Sequence, residues 1–332
     1  DLYASPAGAC AEAELPGFAL CCPWIVGFLI PPWVSMSSMS QSGSKWEACR
    51  PMTAQAHLSL STTRRLDSLS WPEAEKALQQ SGSTVVWPMG AFEQHGPHLP
   101  LATDALFSER ILASVLSELA ANAPVWSLPS QSIGFSPEHA GFPGTLSVSS
   151  GLLTQLIIEV GTQLSAQGVK RLVLFNAHGG QIGLLQAAAR ELRVQSPSMA
   201  VLPCFLWSGV PGLDALIPEE ELRGGLHAAQ AETSLMLALE PRLVGEARPV
   251  DGDHRQPASL ATPPPGWSLE GAAPTAWLTS DLSSSGVIGD SRAASAELGE
   301  ALERCLVSHW ANLFGSLLAS DWPLSQPVAV VN

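Results

Sequence analysis

Carboxylates and imidazoles crowd one short stretch of this chain, Met89-Gly90-Ala91-Phe92-Glu93-Gln94-His95-Gly96-Pro97-His98-Leu99-Pro100-Leu101-Ala102-Thr103-Asp104. Glu93 and Asp104 offer oxygen, and His95 and His98 offer nitrogen, in a loop shaped by glycine and proline. Glu93 and His95 are two residues apart, so on extended backbone their side chains point the same way. Asp104 arrives where the next helix begins, and the positive end of a helix favours an anion. Mixed oxygen and nitrogen donors suit Zn, Mn or Fe(II) rather than Ca. The plain alternative is a hydrogen-bonded polar turn, because any one of these imidazoles can be structural.

Three further stretches carry reactive residue types. In Phe175-Asn176-Ala177-His178-Gly179-Gly180-Gln181, a His at a strand end is followed by two glycines, which let a ligand approach Gly179 and Gly180 closely. A phosphate-cradling loop is the rival reading, although the Walker Lys-Ser/Thr and the three-glycine dinucleotide spacing are absent. In Gly224-Gly225-Leu226-His227-Ala228-Ala229-Gln230-Ala231-Glu232-Thr233-Ser234, His227 and Glu232 would lie a little over one turn apart if the region is fully helical. An acid just before the apolar run Leu235 to Leu239 should be paired or on a metal. The loop Gly134-Phe135-Ser136-Pro137-Glu138-His139-Ala140-Gly141 could line a pocket, with Ser136 and His139 as substrate-facing candidates. His57, His254 and His309 lack suitable neighbours and read as surface or core.

Short apolar runs and amphipathic segments alternate around these clusters. Strands are expected at Thr84 to Pro88, Val125 to Leu128, Arg171 to Phe175 and Ala200 to Phe205. Helices are expected at about Ala105 to Ala121, Gly151 to Gln167 and Ile182 to Gln195. Ser70, Pro72 and Glu73 mark another helix entry with capping-box spacing. This order implies an α/β fold with a mainly parallel central sheet covered on both faces, with sites at the carboxyl ends of the strands.

Composition narrows the partners. The 332 residues include 46% hydrophobic and 14% charged residues, which excludes a wholly disordered chain. A net charge of −14 argues against nucleic acid and against an anionic membrane surface. Residues 15–34 are uncharged and long enough to span a bilayer, but Pro16, Pro23, Pro31 and Pro32 interrupt them and no Lys or Arg precedes them. Residues 1–65 therefore read as an extension that is disordered or non-native, residues 66–320 as the domain and 321–332 as a tail. Cys204 and Cys305 do not read as a disulfide framework, and a cytoplasmic location is expected. The segment Pro263-Pro264-Pro265-Gly266 with Trp267 and Trp277 reads as a loop that covers a site or meets a neighbour.

Taken together, the motifs resemble the creatininase (creatinine amidohydrolase) family. The resemblance rests on Gly90 to Pro100 with Asp104, on Phe142-Pro143-Gly144-Thr145, on Asn176-Ala177-His178-Gly179-Gly180, on His227 through Ser234 and on Ser285 through Asp290. It covers about residues 66 to 318. It implies a three-layer α/β/α fold and two divalent ions, Zn, Mn or Fe, held by Glu93, His95, Asp104, His178 and Glu232, with Asp104 bridging. It also implies that His227 is catalytic or orients the substrate, that a metal-bridging hydroxide hydrolyses a C–N bond of a small cyclic or linear amide, and that the chain forms a homo-oligomer such as a hexamer. Ala177, Gln181 and Ala229 depart from the family's usual loops. Gly179 and Gly180 stand where enzymes acting on creatinine carry Tyr-Glu, so the resemblance is to the broader family, including deformylases and a peptide-processing branch. A catalytically idle binding or assembly protein is the alternative.

Overall fold

Runs such as Thr84-Val85-Val86-Trp87 have no alternating polar face, as expected of strands covered on both sides. The computed structural model describes residues 64–252, 263–269 and 272–323. All of them belong to the unit Ala54–Asn332. The expected extension up to residue 63, His57, His254 and the tail from residue 324 lie outside the described residues. The described chain starts two residues before the expected boundary, with the buried Arg64 guanidinium donating to Ala123 O at 2.8 Å and Ala120 O at 2.5 Å.

The elements follow one another as α1 (Trp71–Leu78), β1 (Thr84–Met89), α2 (Thr103–Glu118), β2 (Val125–Ser127), α3 (Ser150–Ala166), β3 (Arg171–Asn176), α4 (Ile182–Gln195) and β4 (Ala200–Phe205). After these come the short α5 (Leu213–Leu216) and α6 (Glu219–Gly224), then α7 (Gln230–Leu239). The chain continues through β5 (Val250–Asp251), α8 (Thr279–Leu282), β6 (Gly289–Asp290) and the long α9 (Ala296–Leu318). The capping box at Ser70 and Glu73 is present. The expected helix at 105–121 begins and ends earlier, which puts Asp104 inside its first turn.

The main sheet runs β2-β1-β3-β4 and is parallel throughout. Successive strand residues feed opposite layers. Val85, Trp87, Leu172 and Leu174 pack against Leu153, Ile157, Leu185 and Leu192 of α3 and α4. Val86, Val173 and Phe175 pack against Phe107 and Ile111 of α2 and Leu306 and Trp310 of α9. The result is the three-layer α/β/α arrangement. Pro88 sits in a central strand without breaking it. Thr84 N and Val86 O bond towards β2, which ends at Ser127, so the missing donor of Pro88 falls in the gap between that ladder and the Met89–Gln131 bridge.

Met89 pairs with Asn176 in register, so the segments leaving β1 and β3 emerge side by side. This carboxyl edge is where the candidate residues gather. Among the described residues, no helix is long and apolar enough to cross a membrane.

Candidate metal centre

Close backbone approach builds the site first. A Cβ on Gly90 would lie 2.5 Å from Ala105 N, so only glycine lets the loop after β1 fold onto the start of α2. That loop supplies Glu93 and His95, and α2 supplies Asp104 from its first turn. His178 follows β3, and Glu232 lies in the first turn of α7. His227 is not helical but lies in the turn that enters the apolar helix, so the condition of a fully helical region is not met. It exchanges backbone hydrogen bonds with Ile288, 3.1 Å and 2.9 Å, and α7 starts only at Gln230. Between them Ala228 takes φ 52°, a left-handed conformation unfavourable for a residue with a side chain.

The five expected ligand residues converge. Asp104 offers Oδ1 at 3.5 Å from His95 Nε2 and Oδ2 at 3.3 Å from His178 Nδ1. Glu93 Oε1 lies 3.3 Å from His178 Nδ1 and 3.9 Å from both His95 Nε2 and His227 Nδ1. Ligand atoms of His95, Asp104 and Glu232 all fall within 4.8 Å of one another, as do those of Glu93, Glu138 and His178, and those of Glu93, His95 and His227.

The far nitrogen of each imidazole fixes its proton. His95 Nδ1 faces Glu93 O at 3.2 Å, His178 Nε2 faces Phe135 O at 3.0 Å and His227 Nε2 faces Gln94 O at 2.7 Å. A carbonyl only accepts, so each of these nitrogens donates, and in the neutral ring the opposite nitrogen turns a lone pair to the centre. A lone pair facing a carboxylate oxygen calls for positive charge between them, from a bound cation or from a proton on the ring. His95 Nε2 and Asp104 Oδ2 accordingly have no hydrogen-bond partner among the described residues. The donor set fits divalent ions of the Zn, Mn or Fe type.

The electrostatics express the same need for positive charge. Burial alone would lower the pKa of His95, yet Asp104, with Glu232 and Glu93, outweighs it and holds it up at about 9. Burial also opposes the charged form of His178, but Glu93 and Asp104 drive its pKa well above the ordinary value. Burial raises Glu232 to about 7, with Asp104 adding to the rise. Burial, then His95 and His139, hold His227 well below its usual value and keep it neutral.

His139 faces the cluster differently. Gly96 N–H donates to Gln94 Oε1 at 2.8 Å, which fixes the Gln94 amide. Gln94 Nε2 then donates to His139 Nδ1 at 2.8 Å and to Gly286 O at 3.0 Å. His139 Nδ1 therefore accepts, and its Nε2 proton faces Glu93 Oε1 at 3.3 Å. Ser136 is fully buried and its Oγ donates to Glu93 Oε2, behind the carboxylate rather than in the pocket. Gly179 and Gly180 line the pocket with His139 and His178.

Sequence reasoning passed over Glu138, whose Oε1 lies 3.2 Å from His178 Nε2. A Cβ on Gly180 would collide with Glu138 Oε1, so the second glycine makes room for this acid. The pairing of two glycines in one loop with an acid in another was the available signal.

His98 belongs to the fold. The turn at Gly96, φ 65°, and Pro97 redirect it to Thr233, where Nε2 meets Oγ1 at 2.8 Å. Burial, then Arg248 and His95, lower its pKa from 6.5 to about 4. The unfolded chain takes up this proton first, so stability falls as pH drops from 6.5 through about 4. His98→Gln should flatten that part of a pH series of urea unfolding curves, by on the order of 3 kcal/mol between pH 7 and pH 4.

A cavity of about 590 Å³ opens over Glu93, Asp104, His178, His227 and Glu232. Leu269 and Pro274 to Leu278 form one wall, so Trp277 lines the cavity, whereas Trp267 is exposed. A parallel three-layer fold with this cluster at its strand ends defines an α/β class whose site lies at the sheet's carboxyl edge, with a donor set that could hold a metal.

The chain belongs to the Creatininase family, described as creatinine amidohydrolase, whose match spans residues 67–314. It is 32% identical over 236 residues to the mycofactocin precursor peptide peptidase of Mycobacterium tuberculosis (strain CDC 1551 / Oshkosh), covering 69% of this chain and 84% of that one. It is 32% identical over 197 residues to the creatinine amidohydrolase of Pseudomonas putida, covering 55% and 74% respectively. The solved structure "Creatininase Mn" superposes with a TM-score of 0.62 at 26% identity, covering 78% of this chain and 100% of that one.

Proposed function

We propose that the chain is a metal-dependent amidohydrolase that cleaves a C–N bond of a linear or cyclic amide, with residues 66–320 as its working domain. The observation that carries this reading is the set of inward lone pairs on His95, His178 and His227 facing the carboxylates of Glu93 and Asp104. Glu93, Asp104 and His178 would hold one divalent ion, and His95, Asp104 and Glu232 the other, with Asp104 shared. When bound, such ions supply a water-derived nucleophile at neutral pH and polarise the carbonyl oxygen. The relative named "Creatininase Mn" supports Mn as one candidate.

The chain's own groups supply the rest. Gln94 O holds the Nε2 proton of His227, which leaves Nδ1 free to take a proton from the attacking water and return it to the departing nitrogen. One C–N bond breaks, one C–O bond forms, and the products are a carboxylic acid and an amine. Ser136 and His139 hold the two oxygens of Glu93. Gly179 and Gly180 admit the substrate close to His178. The likeness to a peptide peptidase favours a peptide-like amide as the second reading.

Metal analysis and a panel of small amides, formamides and short peptides test the proposal. Hydrolysis should vanish with a chelator and return when Zn, Mn or Fe(II) is added back. Hydrolysis that ignores the chelator, or chelator-insensitive nucleotide binding with no hydrolysis, contradicts it.

A further inference from the structure

The pocket over the centre has an apolar neighbour. A second cavity, of about 290 Å³, shares Gly179, Phe205, Leu226 and Glu232 with the first. Beyond this common wall it is lined by Ile182, Trp207, Leu213, Ile217 and Leu222. Its other acid, Glu221, is turned to the start of α7, where Ala231 N donates to Oε1 at 3.3 Å. The chamber's size is at the small end of ligand sites, roughly 300–1,000 Å³, and suits one side group.

Gly179 stands where the two cavities meet. A Cβ there would touch nothing within 4 Å, so its glycine leaves that space open rather than relieving a clash. No Lys or Arg is among the described residues that line either cavity, while Glu93, Asp104, Glu138 and Glu232 line the first. The second cavity therefore offers a charged side group no cationic side chain to pair with.

We propose that this chamber is a specificity subsite that takes a branched aliphatic or aromatic side group of an uncharged amide, next to the bond being cleaved. The assignment rests on the amidohydrolase reading for its reaction, but not for the binding itself. Removing one methylene's worth of fit in an apolar pocket changes discrimination about 10–200-fold.

The test uses the metal-loaded enzyme and the N-acetyl amides of glycine, alanine, leucine and phenylalanine. The leucine and phenylalanine compounds should exceed the glycine compound in kcat/KM by about tenfold or more. Leu222 is 47% exposed on α6, and Leu222→Lys should bring that ratio towards one with metal content unchanged. Gly179→Val, which fills the junction, should do the same. Calorimetric binding of N-acetyl-leucinamide to the metal-free protein gives a second readout and should weaken in both variants. Equal rates on all four amides, or a ratio untouched by both variants, overturns the subsite. Binding that both variants weaken, without hydrolysis of any amide, upholds the subsite and overturns the amidohydrolase reading.

Discussion

Asp104→Ala should strip the centre of metal and abolish amide hydrolysis in one step. Asp104 is the carboxylate that faces both halves of the cluster, with Oδ1 towards His95 and Oδ2 towards His178. It is buried, and Oδ2 has no hydrogen-bond partner among the described residues. Removing it leaves His95 and His178 without the negative charge that draws a cation between them. Polarisation and water activation by bound metal are worth several kcal/mol, so the loss in kcat/KM should reach about a thousandfold or more. Asp104→Asn keeps the shape and removes the charge. Metal content by elemental analysis should fall in both variants while far-ultraviolet circular dichroism stays native. Retained metal with lost hydrolysis would assign Asp104 to the chemistry and leave metal binding to its neighbours.

His227→Ala should have the second-largest effect, and of a different kind. His227 Nδ1 faces the centre, but its nearest carboxylate oxygen, Glu93 Oε1, is 3.9 Å away, longer than the 3.3 Å that separates Glu93 from His178. This position suits a proton carrier beside the ions. Losing a general acid–base group lowers kcat by about 10²–10⁴-fold. Metal content and KM should change little, and the limb of the pH profile that reports the imidazole should disappear. Loss of metal together with activity would make His227 a ligand.

Local signals in the sequence were enough to place most elements. The unbroken apolar runs at β1 and β3, the capping box at Ser70 and the bounds of α4 are set by neighbours within a few residues. The convergence of Glu93, His95, Asp104 and His178 follows from two adjacent parallel strands delivering their loops to one edge. Other features depend on contacts between distant segments. His95 and His98 share one loop and one composition, and only the turn at Gly96 sends one to the centre and the other to Thr233. His227 is placed by its bridge to Ile288, which no helical spacing anticipates. Glu138 and the amide of Gln94 act through loops folded against each other, so their roles were invisible to spacing alone.

Calorimetric titration of Zn or Mn into chelator-stripped protein tests the central claim most directly. Two divalent ions per chain should bind, with hydrolysis recovering in step with occupancy, and the Asp104→Ala protein should show neither. A stripped protein that takes up no Zn or Mn, or that hydrolyses its amide at full rate without it, would contradict a metal centre built from Glu93, His95, Asp104, His178 and Glu232.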